Sequence, residues 1–387
     1  MQAELTPRMR EAIDYPLVVM VILLMVTGFC AMSSASSEYA NAVFGFHLQL
    51  AVKQAMFIVI ALWAALITCL VPLDILQRYG WALLALGVGL LLLVLIPGIG
   101  HEVKGASRWI SFGVMSLQVS ELVKLFVVIF IAGYLVRRED EVRQQWSGFL
   151  KPMFVIGLIT ALLLAEPDFG AAVVMTTAVM AMLFVGGVRL SQFLALGAVV
   201  VGSGALMIFT SAYRRERLVA YTDPWADKFD SGYQLVQSLI AFGRGELTGV
   251  GYGNSVQKLA YLPDAHTDFV IAIWAEETGA LGVAFVILGF AALISYMFFI
   301  ARKALQANMA FGAYIVTGIA MLMLAQMFIN IGVNTGLLPT KGLTLPFFSY
   351  GGSSLIAVFA GVALVGRVSY ELNRQGVSKG KAKGVKA

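Results

Sequence analysis

Apolar residues along this chain run in long blocks, and few of them alternate with polar neighbours. A membrane-crossing helix needs roughly 17–25 mostly apolar residues. The stretches 15–35, 47–71, 79–97, 118–136, 152–166, 168–188, 191–211, 267–300, 310–336 and 352–370 are of that kind, with 152–166 the shortest. The pattern predicts an all-α polytopic membrane protein with ten transmembrane helices. A short segment, 1–14, precedes the membrane domain 15–370, and a basic tail, 371–387, follows it. One long polar segment, 212–266, interrupts the domain. A second, 336–354, is apolar but broken by Pro339, Gly342, Pro346, Gly351 and Gly352, so it cannot be one helix. Non-helical backbone near lipid survives only when buried in protein or lining a cavity, which predicts a re-entrant loop beside a groove.

Composition narrows the class. Apolar residues make up 59% of the chain and charged ones 13%, against about 45–50% and about 25% in soluble domains. With a mean hydropathy of +0.85, an ordinary soluble enzyme, a disordered chain and a nucleic-acid-binding module are excluded. Charge placement sets orientation. With the N-terminus inside, sixteen of the 27 lysines and arginines fall in cytoplasmic segments, Arg8, Arg137 and Lys381 among them. Short outer loops hold Lys104, Arg108 and Lys341, and six more basic residues lie in 212–266. Both termini are therefore expected in the cytoplasm and 212–266 outside. The first apolar run is near full bilayer length, so an uncleaved helix is expected rather than a signal peptide. Cys30 and Cys69 both sit inside apolar blocks and form no CxxC pair.

Candidate chemistry clusters on the outer side. Asp268 is expected in the first turn of the 267–300 span, behind a Thr267 cap. There it is either a helix-dipole partner or a general base. Glu276 and Glu277 follow about two turns deeper, where carboxylates are usually paired or functional. Arg108 beside Trp109 is either an interfacial anchor or an anion contact. Glu121 and Lys124 share a helix face, so they suit an ion pair. Lys53, early in the second span, needs a partner or a polar cavity. The run GVGYGN, Gly249 to Asn254, is either a flexible turn or a backbone nest for an anion. His47, His101 and His266 show no metal-ligand spacing.

The motifs GASRWI, SELVK, PDFG, SGYQLVQSLIAFGRGEL, KLAYLPDAHTDF and LPTKGLTLPFFSYGGSS occur in that order over roughly 15–370. Together they resemble the SEDS family (shape, elongation, division, sporulation), and the LPTKG form with the YRRERLVAYTDPWAD stretch is most similar to its division-type members. Val119 and Glu166 depart from the family pattern, in which proline and glutamine are common at those places. The resemblance implies a ten-helix peptidoglycan glycosyltransferase acting on lipid II, the undecaprenyl-diphosphate-linked disaccharide-pentapeptide. It implies Asp268 as the catalytic residue. Arg108, Trp109, Lys53, Glu121, Lys124, Lys341, Ser349, Gly351 and Gly352 are candidates for the diphosphate or glycan. No cofactor is firmly implied, although a divalent cation, Mg or Mn, could accompany the diphosphate. Expected partners are a class B penicillin-binding protein and other divisome membrane proteins. The expected location is the bacterial inner membrane at the division septum.

A β-1,4 linkage grown from an α-linked sugar diphosphate inverts the reaction centre. One displacement then needs a base for the acceptor hydroxyl and charge for the departing diphosphate. Two rival readings remain from the sequence: a flippase for lipid II and a non-catalytic divisome scaffold.

Overall fold

The structure, a computed structural model, describes residues 13–98, 100–103, 106–111, 116–198, 225, 232–339 and 342–384. Three helices come first: α1 (Tyr15–Phe44), α2 (Gln49–Leu70) and α3 (Leu73–Val94). Strands β1 (Gly100–Val103), β2 (Ala106–Ser111) and β3 (Ser116–Gln118) follow, leading into α4 (Val119–Arg137). Next come α5 (Glu139–Gln144), α6 (Trp146–Ala165), α7 (Phe169–Val185) and α8 (Tyr233–Gly245). The chain closes with α9 (Val270–Gln306), α10 (Ala310–Asn334) and α11 (Gly352–Gly384). Eight of these, all but α5, α7 and α8, are long and apolar enough to cross a membrane, and α7 is a shorter apolar helix. Residues 190–198 are also helical, and the rest of the expected 191–211 span lies outside the described residues.

Local signals explain several boundaries. Asp14 caps α1 by accepting from the Leu17 amide, and Gly45 ends it in the left-handed region. Pro72 starts α3 six residues earlier than the apolar run suggests. The expected weak span at 152–166 is a full helix, because Pro152 falls inside α6 without ending it. Proline cannot donate to the carbonyl four residues back. That carbonyl, of Gly148, accepts from the Tyr134 hydroxyl at 3.0 Å instead.

Two expectations change. The chain is not purely helical: β1, β2 and β3 form a three-stranded antiparallel sheet between α3 and α4. Antiparallel pairing satisfies the backbone of these short segments. The basic tail, set apart from the membrane domain by its sequence, continues α11 to Gly384.

Helices α4 and α10 form the centre, with 72% and 67% of their most apolar windows buried, against 17% for α3. Around them α11 packs on α2, α9 on α10 and α3 on α4. This is a multi-pass membrane protein by the number and apolarity of its helices. The beginnings of α4, α7, α9 and α11 and the ends of α6 and α10 meet at one end of the bundle, and the candidate residues gather there.

Candidate active site at one end of the bundle

An open cavity of about 380 Å³ lies at this end. Arg108 and Trp109 of β2, Glu121 of α4, Asp268 before α9, and Gly351 before α11 all line it. Of the remaining candidates, Lys124 is buried behind Glu121 and bonded to it at 2.8 Å. Lys53 lies over the Phe44 ring at 4.8 Å. The Ser349 hydroxyl accepts from the Leu345 amide at 2.7 Å, which holds the broken segment in shape. At Gly352 a Cβ would meet the Phe57 ring at 2.8 Å, so this glycine lets α11 pack on α2. Lys341 lies outside the described residues.

Asp268 is not a helix cap. Helix α9 begins at Val270 with no side-chain cap. The Thr267 hydroxyl donates to the Asp264 carbonyl at 3.2 Å, and the amides of Thr267 and Asp268 donate to that same carbonyl at 3.1 Å. Two α10 side chains, Asn330 and Asn334, reach the Asp268 carbonyl at 2.9 and 3.0 Å. Asn330 also donates to the Leu343 carbonyl at 2.6 Å, joining the Asp268 turn to the broken segment. The backbone is thus fixed while the half-buried carboxylate faces the cavity. Gly342 is what clears the space, since a Cβ there would lie 2.7 Å from Asp268 Oδ2.

Arg108 is held at the junction of α6 and α7. Its Nε donates to the Glu166 carbonyl at 3.0 Å, and another guanidinium nitrogen donates to the Pro167 carbonyl. A cation at the end of α6 suits its exposed carbonyls. Asp168 lies 3.8 Å from the same guanidinium. It accepts from Ser120 at 2.8 Å and caps α7 through the Ala171 amide at 3.3 Å. Glu166 is fully buried, and neither side-chain oxygen has a hydrogen-bond partner among the described residues. Burial first, and Asp168 second, push its carboxyl up to about 8, against the opposing pull of Arg108. At neutral pH that carboxyl is mostly protonated.

Glu276 and Glu277 belong to a different construction. Helix α9 breaks at Gly279, whose φ of 68° is open to glycine at little cost. The GVGYGN run closes against this break. Val250 and Gly251 donate to the carbonyls of Glu276 and Glu277 at 3.0 Å each. Ala280 and Leu281 donate to the carbonyls of Glu246 and Leu247 at 2.9 and 3.1 Å. The anion that the loop amides grip is the protein's own. Val256 and Gln257 donate to the Glu276 carboxylate at 3.1 and 3.2 Å, Ser255 adds its hydroxyl, and Arg244 pairs with it at 2.6 Å. Glu277 accepts from Ser34 at 2.6 Å and from Lys258 at 3.2 Å. The expected single span from 267 is therefore a short helix locked to the preceding loop, followed by the spanning part after Gly279.

Asp168, Asp264, Gln118, Thr344, Tyr350 and Ser354 also line the cavity and were not singled out as site residues. The pair Asn330 and Asn334, four apart in an apolar helix, was the available signal for the Asp268 turn. Among the described residues, no three His, Cys, Asp or Glu side chains converge to hold a metal ion.

A family model described as a cell cycle protein, FTSW_RODA_SPOVE, matches residues 15–374. A probable peptidoglycan glycosyltransferase FtsW of Marinobacter nauticus is 51% identical over 93% of this chain and 89% of that one. The protein of the same description in Pseudomonas fluorescens is 48% identical over 93% and 88%. Among solved structures, a chain from a study of polymerization and crosslinking by a peptidoglycan synthase complex superposes with TM-score 0.79 at 28% identity, over 93% and 98% of the two chains. Rod shape determining protein RodA of Thermus thermophilus superposes with TM-score 0.68 at 27% identity, over 92% and 97%.

Proposed function

Because this chain belongs to the FTSW_RODA_SPOVE family of cell cycle proteins, we propose that it polymerises lipid II into glycan strands by inverting glycosyl transfer. The observation that carries this is one cavity, at one end of the membrane bundle, holding Asp268, Arg108 and Trp109 together. Undecaprenyl chains are lipid, so a site at the membrane boundary lets the tail stay in the bilayer while the sugars react outside it.

Asp268 takes the proton from the acceptor hydroxyl as the new β-1,4 bond forms and the old α-linked diphosphate leaves. A base on a rigid turn, with its backbone held by Asn330 and Asn334, keeps its carboxylate placed through many turnovers. Arg108 meets the departing diphosphate with its planar fork. Trp109 packs beside it against sugar or lipid. Glu121 and Lys124 hold the cavity floor through their buried pair. A Mg or Mn ion accompanying the diphosphate would be held by cavity carboxylates such as Asp168 and Asp264 and would supply charge neutralisation for the leaving group. The protein works in the bacterial inner membrane at the division septum, beside a class B penicillin-binding protein that crosslinks the strand, and with other divisome membrane proteins.

The test is purified chain given lipid II in detergent and in liposomes, with and without a class B penicillin-binding protein whose own products can be told apart. Glycan chains are the expected product. Lipid movement across liposomes without polymer would replace this reading by a flippase, and neither activity would replace it by a scaffold.

A further inference from the structure

A second pocket lies at the other end of the bundle, between α3 and α4. The two helices are in van der Waals contact at Gly80, where a Cβ would stand 3.4 Å from Ile129 and 3.6 Å from Phe130 Cα. Towards the surface, Asp74, Gln77, Arg78, Trp81 and Arg137 enclose an open space of about 560 Å³. Arg137 ends α4, eighteen residues beyond the helix start at the candidate site, so the two places stand about 27 Å apart along the axis. That is close to the ~30 Å hydrocarbon thickness of a bilayer. The pocket therefore sits at the opposite membrane boundary.

Its arginines differ from several of the basic residues at this end. Arg138, Arg143, Lys151 and Arg367 all pair with a carboxylate. Among the described residues Arg78 and Arg137 form no ion pair. Arg137 makes only a long bond, 3.4 Å, to the Gln77 carbonyl. Arg78 lies over the Tyr79 ring at 5.7 Å. Asp74 lines the pocket without reaching ion-pair distance of either. Trp81 is 61% exposed, the placement of an indole at a headgroup boundary. Because α3 is the least buried of the spanning helices, it leaves an apolar face open beside the pocket for acyl chains.

We propose that this pocket binds the headgroup of an anionic phospholipid. Arg78 and Arg137 grip the phosphate through their guanidinium forks, and Trp81 packs at the glycerol level. Basic pockets between transmembrane helices take such headgroups, and a planar fork suits a phosphodiester better than a point charge. A soluble phosphate would use only the arginines and leave Trp81 and the α3 face unused. The lipid would clamp the two helices that flank the sheet carrying Arg108. Its binding does not depend on the catalytic reading.

The experiment is native mass spectrometry of the full purified chain, titrated with phosphatidylglycerol and with phosphatidylcholine. One phosphatidylglycerol should be retained in preference, and high salt should weaken it. The R78Q/R137Q double variant should lower that affinity roughly 10–30-fold, while K303Q at the same end should not. The D74N variant removes a repelling charge and should tighten binding severalfold, a gain that misfolding cannot mimic. Equal retention of both lipids, unchanged phosphatidylglycerol binding in R78Q/R137Q, or no gain in D74N would each overturn the proposal. Full displacement by millimolar inorganic phosphate would overturn it in favour of a soluble anion.

Discussion

Asp268 and Glu276 lie eight residues apart and are treated in opposite ways. Glu276 is fully buried, and its two oxygens are met by Arg244, Ser255 and the amides of Val256 and Gln257. Asp268 is half-buried and lines the cavity, and Asn330 and Asn334 of α10 fasten its backbone carbonyl. A carboxylate saturated with donors is a structural fastener, since reaction would require giving up bonds that hold the fold. One that lines a cavity, on a main chain held by a neighbouring helix, is placed for chemistry. Position near the start of an apolar span does not separate the two. The bonding around each does.

The sharpest way to break this contrast is Asp268→Asn. Asparagine is nearly isosteric but cannot take a proton at neutral pH. Polymerisation should fall by roughly 10²–10⁴-fold in a variant that a melting curve shows to be folded. Near-normal synthesis by the folded variant would remove the general base from the mechanism.

Glu276→Ala should do the reverse. It leaves two amides and the Ser255 hydroxyl without their acceptor, at a cost of about 1–3 kcal/mol in stability for unmet buried donors, while the part-exposed Arg244 can turn to water. The variant should melt earlier, yet its activity per folded molecule, measured well below the transition, should stay within a few-fold of normal. Full stability with lost turnover would place Glu276 in the chemistry after all.

Arg108→Ala tests the other side of the cavity. Loss of one donor to developing charge usually costs about 10²–10³-fold in turnover. Lysine should recover only part, because it lacks the fork. Equal activity in all three forms, read by lipid II consumption, would reduce Arg108 to a cap on α6.

Glu166 bears on the pH dependence of stability and leaves turnover alone. Its carboxyl titrates near 8 in the folded chain, against an ordinary value of 4.5. Below 4.5 both folded and unfolded forms are protonated and its contribution is fully present. Between 4.5 and 8 the folded form holds the extra proton, so stability declines as pH rises, by at most about 1.4 kcal/mol per pH unit. Glu166→Gln should flatten that part of the melting temperature profile. An identical slope in the variant would assign the pH dependence elsewhere.

Much of this protein is legible in its sequence, because membrane burial writes a strong signal. A helix in lipid must be apolar all round for about twenty residues, so the blocks locate the eight helices, among the described residues, that are long and apolar enough to cross a membrane, with their ends misplaced by up to nine residues. The motifs around Arg108, Glu121, Asp268 and Gly351 likewise mark the stretches that later meet in one cavity. What the sequence alone left open was decided by contacts between distant segments. The turn at Asp268 depends on Asn330 and Asn334 from α10, and the space at its carboxylate depends on Gly342. The break at Gly279 exists because the 246–251 loop supplies the backbone partners that the helix gives up. The same packing separates Lys53 and Lys124 from the cavity and, among the described residues, leaves Arg78 and Arg137 without an ion pair. Periodicity and composition report how each segment meets lipid or water. Which donor meets which acceptor is a property of the assembled bundle, because hydrogen bonds act over about 3 Å between residues hundreds of positions apart.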